Sequence, residues 1–226
     1  NALVLRRSPT VAEFDGDAGS EDTDTVGETE PQWTMAQVLK RPMFWIPVAG
    51  IIPLMAAFTG IQFNLGAYMG DLGYDQGLAA QLIMIIAAGQ VGGKLIAGAL
   101  GDRMDHRHIF WVMAAMTAVA IYLFSGGPSQ VALYAASAIL GLSVGATLPM
   151  LPIMYSPRFG TRSLGTVLGL VNLVLIVGSF GSLFAGAIYD STQSYDSAFM
   201  VFALLLIPVS IAMYFLPSPE RARASW

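Results

Sequence analysis

The chain has 226 residues, 55% of them hydrophobic and only 12% charged, with a mean hydropathy of +0.62. That balance is too apolar for an ordinary water-soluble domain and implies a lipid solvent. With no cysteine in the sequence, disulfide frameworks, thiolate zinc sites and thiol nucleophiles are excluded. The net charge of −4 is uneven, because residues 1–30 carry Arg6 and Arg7 against eight Asp and Glu residues. An acidic stretch so poor in aromatics reads as a solvated, disordered segment, here taken over 8–41, and it argues against nucleic-acid binding. The chain starts on Asn1 with no basic-apolar-small leader, so a longer parent chain is expected.

Beyond that stretch, long runs free of charge follow one another. A hydrocarbon core of about 30 Å needs roughly 20 apolar residues in helical form. Six such spans are predicted, at 43–69, 76–101, 109–126, 130–154, 163–189 and 197–216. The third and fourth come from one run too long for a single crossing, divided by the turn Gly126-Gly127-Pro128-Ser129-Gln130. The runs are apolar on every side and show no period of two, so an all-α membrane bundle is expected rather than a barrel. Pro47, Pro53, Pro149, Pro152 and Pro208 are expected to kink or break their helices, most clearly at the Pro149–Pro152 pair.

The loops sort by charge. Lys40 and Arg41, Arg103 and Arg107, Arg158 and Arg162, and Arg221 and Arg223 fall on one side, and the opposite loops carry Asp71, Asp75, Asp190 and Asp196 with no Lys or Arg. The positive-inside rule makes the basic side, and with it both ends of the chain, cytoplasmic. An integral plasma membrane location, with a bacterial inner membrane as the expected case, follows. Small residues recur at intervals of four in Gly89/Gly93, Gly141/Gly145, Gly165/Gly169 and Gly178/Ser182/Gly186, which predicts close helix contacts at each.

Lys94 is the one charged residue inside a predicted span, about 12 Å from the basic end of its helix at 1.5 Å per residue. An intramembrane cation is costly and marks a functional candidate, although a lysine recovers part of that depth by snorkelling. Gln90, Lys94 and Gly98 lie on one helical face, as the wall of an aqueous cavity would, and an ammonium there attracts an anion, most simply a carboxylate. Thr59, Gln62, Asn64 and Tyr68 in the first span and Asn172 in the fifth are further candidates for contacting a small solute, with interhelical hydrogen bonding as the equal alternative. Gln62 points away from the Asn64–Tyr68 face on an ideal helix.

The turn after the second span reads Gly98-Ala99-Leu100-Gly101-Asp102-Arg103-Met104-Asp105-His106-Arg107-His108. It resembles the G-x-L-a-D-R-x-G-R-R signature of the major facilitator superfamily, in the copy that follows the eighth helix of its twelve-helix fold. Gly98, Leu100, Asp102, Arg103 and Arg107 match, whereas Asp105 replaces a glycine and His106 stands where an arginine is frequent. The resemblance extends to most of the chain. Residues 1–7 resemble the end of the sixth helix, 8–41 the central cytoplasmic loop, 33–45 the lead into the seventh helix, 42–217 the second six-helix half, and 218–226 a cytoplasmic tail. It implies a partner half of six helices outside this chain and a charge cluster of Asp102, Arg103 and Arg107 holding helix ends together, with Arg162 as a candidate partner.

Within the superfamily the chain is most similar to the monocarboxylate and oxalate/formate antiporter branch, in which a basic residue at the position of Lys94 contacts the substrate carboxylate. The oxalate-type members add a lysine in the eleventh helix, and the matching stretch Val171–Val177 is apolar here except for Asn172. The resemblance therefore favours a monocarboxylate. It implies no cofactor and no enzymatic chemistry. The string Gly141-Leu142-Ser143-Val144-Gly145 matches the nucleophile-elbow pattern only formally, since no strand-to-helix turn or nearby histidine is predicted around Ser143. The alternatives are a self-sufficient six-helix channel, a dimeric half-transporter and a non-transporting scaffold.

Overall fold

Helices account for the six apolar runs. The computed structural model describes residues 32–101, 106–216 and 218, and the acidic stretch and the turn 102–105 lie outside them. The elements are α1 (Met35–Leu39), α2 (Pro42–Asp71), α3 (Gln76–Gly101), α4 (His106–Phe124), α5 (Gln130–Gly145), α6 (Thr147–Phe159), α7 (Leu164–Ser179), α8 (Gly181–Thr192) and α9 (Tyr195–Tyr214). Among the described residues, six helical paths are long and apolar enough to cross a membrane: Pro42–Asp71, Gln76–Ala99, Arg107–Phe124, Gln130–Phe159, Leu164–Thr192 and Tyr195–Tyr214. The predicted architecture of six spanning helices is therefore the observed one.

Two of the spans are interrupted. The fourth changes from α5 to α6 at Ala146, one turn before the expected Pro149–Pro152 pair. The displacement has a simple cause: a proline withholds its own N–H from the carbonyl four residues earlier and crowds it, and for Pro149 that carbonyl belongs to Gly145, the last residue of α5. The fifth span changes from α7 to α8 at Phe180 without a proline, in the setting Gly178-Ser179-Phe180-Gly181 where small residues permit a kink. Pro47 and Pro53 in α2 and Pro208 in α9 leave their helices continuous.

The spans are unequally enclosed. The most apolar stretch of α2 is 61% buried against 22% for α3 and for the α7–α8 span, so α2 is the centre of the bundle and α3 and α7 carry long exposed faces. Around α2 pack α7, α8, α9 and, more lightly, α3, while α3 packs chiefly on α5. Hydrogen bonds and rings close both ends. At the acidic end, Tyr74 donates to the Pro128 carbonyl (3.2 Å), the Gly126 N–H donates to Asp196 (3.3 Å), and Tyr189 stacks on Tyr195 at 4.3 Å. At the basic end, Tyr155 donates to the Phe44 carbonyl (2.9 Å) and packs against Phe44 and Phe159.

The loop reading of 8–41 fails over its last ten residues. Trp33 and Val38 are buried, the Trp33 N–H donates to Ser163 Oγ at 2.8 Å, the ring meets Phe159 edge-on, and the Arg41 guanidinium lies 4.9 Å above it. A capping box of Thr34 and Gln37 starts α1. Two large apolar anchors and a satisfied helix start are enough to dock this segment across the ends of α6 and α7.

Candidate functional site

The position of Lys94 is set by glycine. A Cβ on Gly89 would stand 3.0 Å from the Ala138 carbonyl oxygen, and one on Gly93, Gly141 or Gly145 would run into the carbonyl of Leu142, Ile86 or Gln90 respectively. The pairs Gly89/Gly93 and Gly141/Gly145, predicted separately, thus form a single seam in which α3 and α5 touch backbone to backbone. Gly93 abuts Gly145, the last residue before the Ala146 break. Lys94 follows Gly93 directly, so the cation lies at the level where the fourth span is interrupted and α6 begins.

On α3, Lys94 is exposed, Gln90 is half-buried and Gly98 is exposed with open space where a side chain would go. Among the described residues Lys94 has no hydrogen bond or ion pair. Thr147, at the start of α6, is 1% exposed and its hydroxyl has no partner among the described residues. Across the bundle, Asn172 on α7 is exposed, and its amide donates back to the Leu168 carbonyl (3.0 Å) within its own helix.

The first-span candidates separate. Asn64 donates to the Gly60 carbonyl (2.9 Å) and to Ser182 Oγ (3.2 Å), stapling α2 to α8. Tyr68 is buried, its hydroxyl donates to the Phe124 carbonyl, and its ring lies 5.2 Å from Phe199 and 5.7 Å from Tyr195. Thr59 donates toward the Met55 and Gly178 carbonyls, both at 3.0 Å. These three spend their donors on neighbouring helices. Gln62, on the other side of α2, is half-buried, and its side-chain oxygen has no partner among the described residues. The structure thus brings Gln90, Lys94 and the α5–α6 break together, and it turns Asn64 and Tyr68 into the packed interior.

Of the loop motif, Asp102 and Arg103 fall outside the described residues. Arg107 is half-buried and donates to the Leu216 carbonyl, tying the start of α4 to the end of α9, and Arg162 is exposed beside Ser163. Sequence reasoning used Arg158 only as a topological cation, yet it is 1% exposed and donates to the Met154 carbonyl at 2.6 Å. Its spacing of four from Met154 on the buried Met154–Tyr155 face was the available signal. Ser143 serves packing: its hydroxyl donates to the Met113 carbonyl (2.8 Å) and lies 2.8 Å from Thr117 Oγ1, a contact between α4 and α5.

Six apolar spans packed through glycine seams, with Lys94 on an exposed face of one of them, define an integral membrane protein. The family model described as Major Facilitator Superfamily matches residues 2–180 and, in a second register, 48–225, and the chain belongs to that superfamily. It is 27% identical over 157 residues to monocarboxylate transporter 13 of Rattus norvegicus, covering 68% of this chain and 37% of the relative. To monocarboxylate transporter 12 of Rattus norvegicus it is 24% identical over 241 residues, covering 98% and 50%. The uncharacterised MFS-type transporter YhjX of Escherichia coli is 23% identical over 170 residues, covering 72% and 41%. The chain spans half or less of the length of these relatives.

Proposed function

We propose that the chain is the carboxy-terminal six-helix half of an alternating-access secondary transporter for a small organic anion, with a monocarboxylate as the favoured solute. The observation that carries this reading is Lys94: an exposed cation without a partner among the described residues, on a span of a membrane protein. Such a group is tolerated where it faces an aqueous cavity and a counter-charge arrives with the solute. Gln90 and Asn172 have exposed or half-exposed amides suited to orienting a carboxylate, and Gln62 offers a buried acceptor that a protonated solute or a bridging water would satisfy. The monocarboxylate names of two relatives support the same class of solute.

The partner in this scheme is an amino-terminal half of six helices, which would meet the exposed faces of α3 and α7. On α7, Gly165, Gly169 and Asn172 share one exposed side, and a Cβ on either glycine meets nothing within 4 Å. A smooth face of this kind suits a rocking contact between halves. The basic end is taken as cytoplasmic by the positive-inside rule.

The test is uptake of labelled monocarboxylates into proteoliposomes by the full-length protein and by its Lys94→Ala and Lys94→Arg variants. The reading expects Ala to abolish uptake and Arg to keep part of it. Normal uptake by both variants would reduce Lys94 to a snorkelling residue and leave the solute unassigned.

A further inference from the structure

The α4–α9 side of the bundle carries a feature outside the Lys94 site. A groove of about 640 Å³ runs between the two helices, with Trp111, Ala114 and Ala118 on one wall and Ala203, Leu206 and Tyr214 on the other. The alanines make the space, because each leaves a gap of several carbons between two helices otherwise rich in large apolar side chains. The Trp111 indole N–H is already used, donating to the Ser210 carbonyl at 3.1 Å. What remains is an apolar trough.

Its mouth at the basic end differs in character. Arg107 is half-buried there with one guanidinium nitrogen on the Leu216 carbonyl, and exposed His108 meets the Trp111 ring edge-on at 5.6 Å. Trp111 and Tyr214 lie near this mouth, the depth at which amphipathic rings favour the membrane–water boundary. A trough for a chain that ends at a fixed cation and an interfacial tryptophan has the polarity of a phospholipid with an anionic head.

We propose that this groove binds one anionic phospholipid, an acyl chain lying along Ala114, Ala118 and Leu206 and the headgroup phosphate held by Arg107 and His108. A partner transmembrane helix would fill the trough without needing a cation at its mouth, and a zwitterionic lipid, whose phosphate is offset by its own ammonium, would gain less from Arg107 than an anionic one.

Native mass spectrometry of the purified protein in detergent with equimolar phosphatidylglycerol and phosphatidylcholine tests the site. The expected result is one retained lipid, phosphatidylglycerol preferred by about fivefold, the worth of one basic residue at a lipid surface. Arg107→Gln should bring the two lipids to parity and Arg107→Lys should restore the preference. Ala118→Leu should lower retention of both lipids alike, and free glycerol phosphate should not compete. If Arg107→Gln does not fold, as judged by size exclusion, His108→Glu replaces it with the same expected loss of preference. Equal retention of both lipids by the unaltered protein, a preference surviving the mouth variants, or a protein bound one-to-one in place of lipid would each overturn the proposal.

Discussion

Two regions of this bundle share one sequence pattern and use it in opposite ways. Along α3 and α5, glycines four apart meet another helix so closely that a single methyl would strike a backbone carbonyl, whereas along α7 Gly165 and Gly169 face open space. Spacing alone makes both look like packing seams. The difference lies in the surroundings: the first seam is closed by a second glycine pair on a neighbouring helix, and the second meets nothing within 4 Å among the described residues. A small-residue stripe therefore records that close approach is permitted, and only the neighbouring helix says whether it is made here or elsewhere.

The comparison can be broken most forcefully at the closed seam. Gly93→Ala should destabilise the protein by about 1–3 kcal/mol, because the obstacle is a carbonyl that cannot rotate away, and Gly169→Ala should be neutral or slightly stabilising. Thermal unfolding of both variants in detergent measures this, and equal melting shifts would remove the distinction. Next in size is function on the open faces. Gly169→Leu is expected to impair uptake while leaving the melting temperature of this half nearly unchanged, which separates an inter-half surface from a merely exposed one.

A smaller effect sharpens the contrast between satisfied and free amides. Asn64→Ala should cost roughly 0.6–1.7 kcal/mol, the range for hydrogen bonds between membrane helices, since it loses Gly60 and Ser182 together. Asn172→Ala should leave stability alone and raise KM instead, because among the described residues its amide bonds only within its own helix. A stability loss at Asn172 equal to that at Asn64 would contradict its assignment to the solute face. Least in energy is the pairing of Asp102 with Arg162 that we propose: an ion pair contributes about 0.2–1 kcal/mol when exposed, so transport, not melting, is the readout. Charge exchange at the two positions together should recover uptake lost in the single variants, and no recovery would end the pairing.

Much of the fold was legible because a bilayer is a severe solvent. Every backbone donor in it must be satisfied within its own segment, so length of apolar run, loop charge and one Gly-Pro turn were enough to place six helices within a few residues of where they lie. The break in the fourth span was legible as an event, and its location at Ala146 followed only after the proline's effect was traced back to Gly145. Segment 32–41 was misread as part of the acidic loop because its anchoring depends on Ser163 and Phe159, far away in sequence.

The candidate site divides along the same line. Composition and spacing were sufficient to determine that the chain lives in a membrane, which end is basic, and that Lys94 is an unusual residue in an apolar helix, since each of these depends on a local cost that neighbours do not change. Tertiary structure alone decided that Lys94 stands beside the helix break, that Asn64, Tyr68 and Thr59 are spent on helix contacts, and that Arg158 is buried. A hydroxyl, an amide or a guanidinium carries the same donors whether it faces a solute or a carbonyl, and which it meets depends on the rotation of each helix against the next.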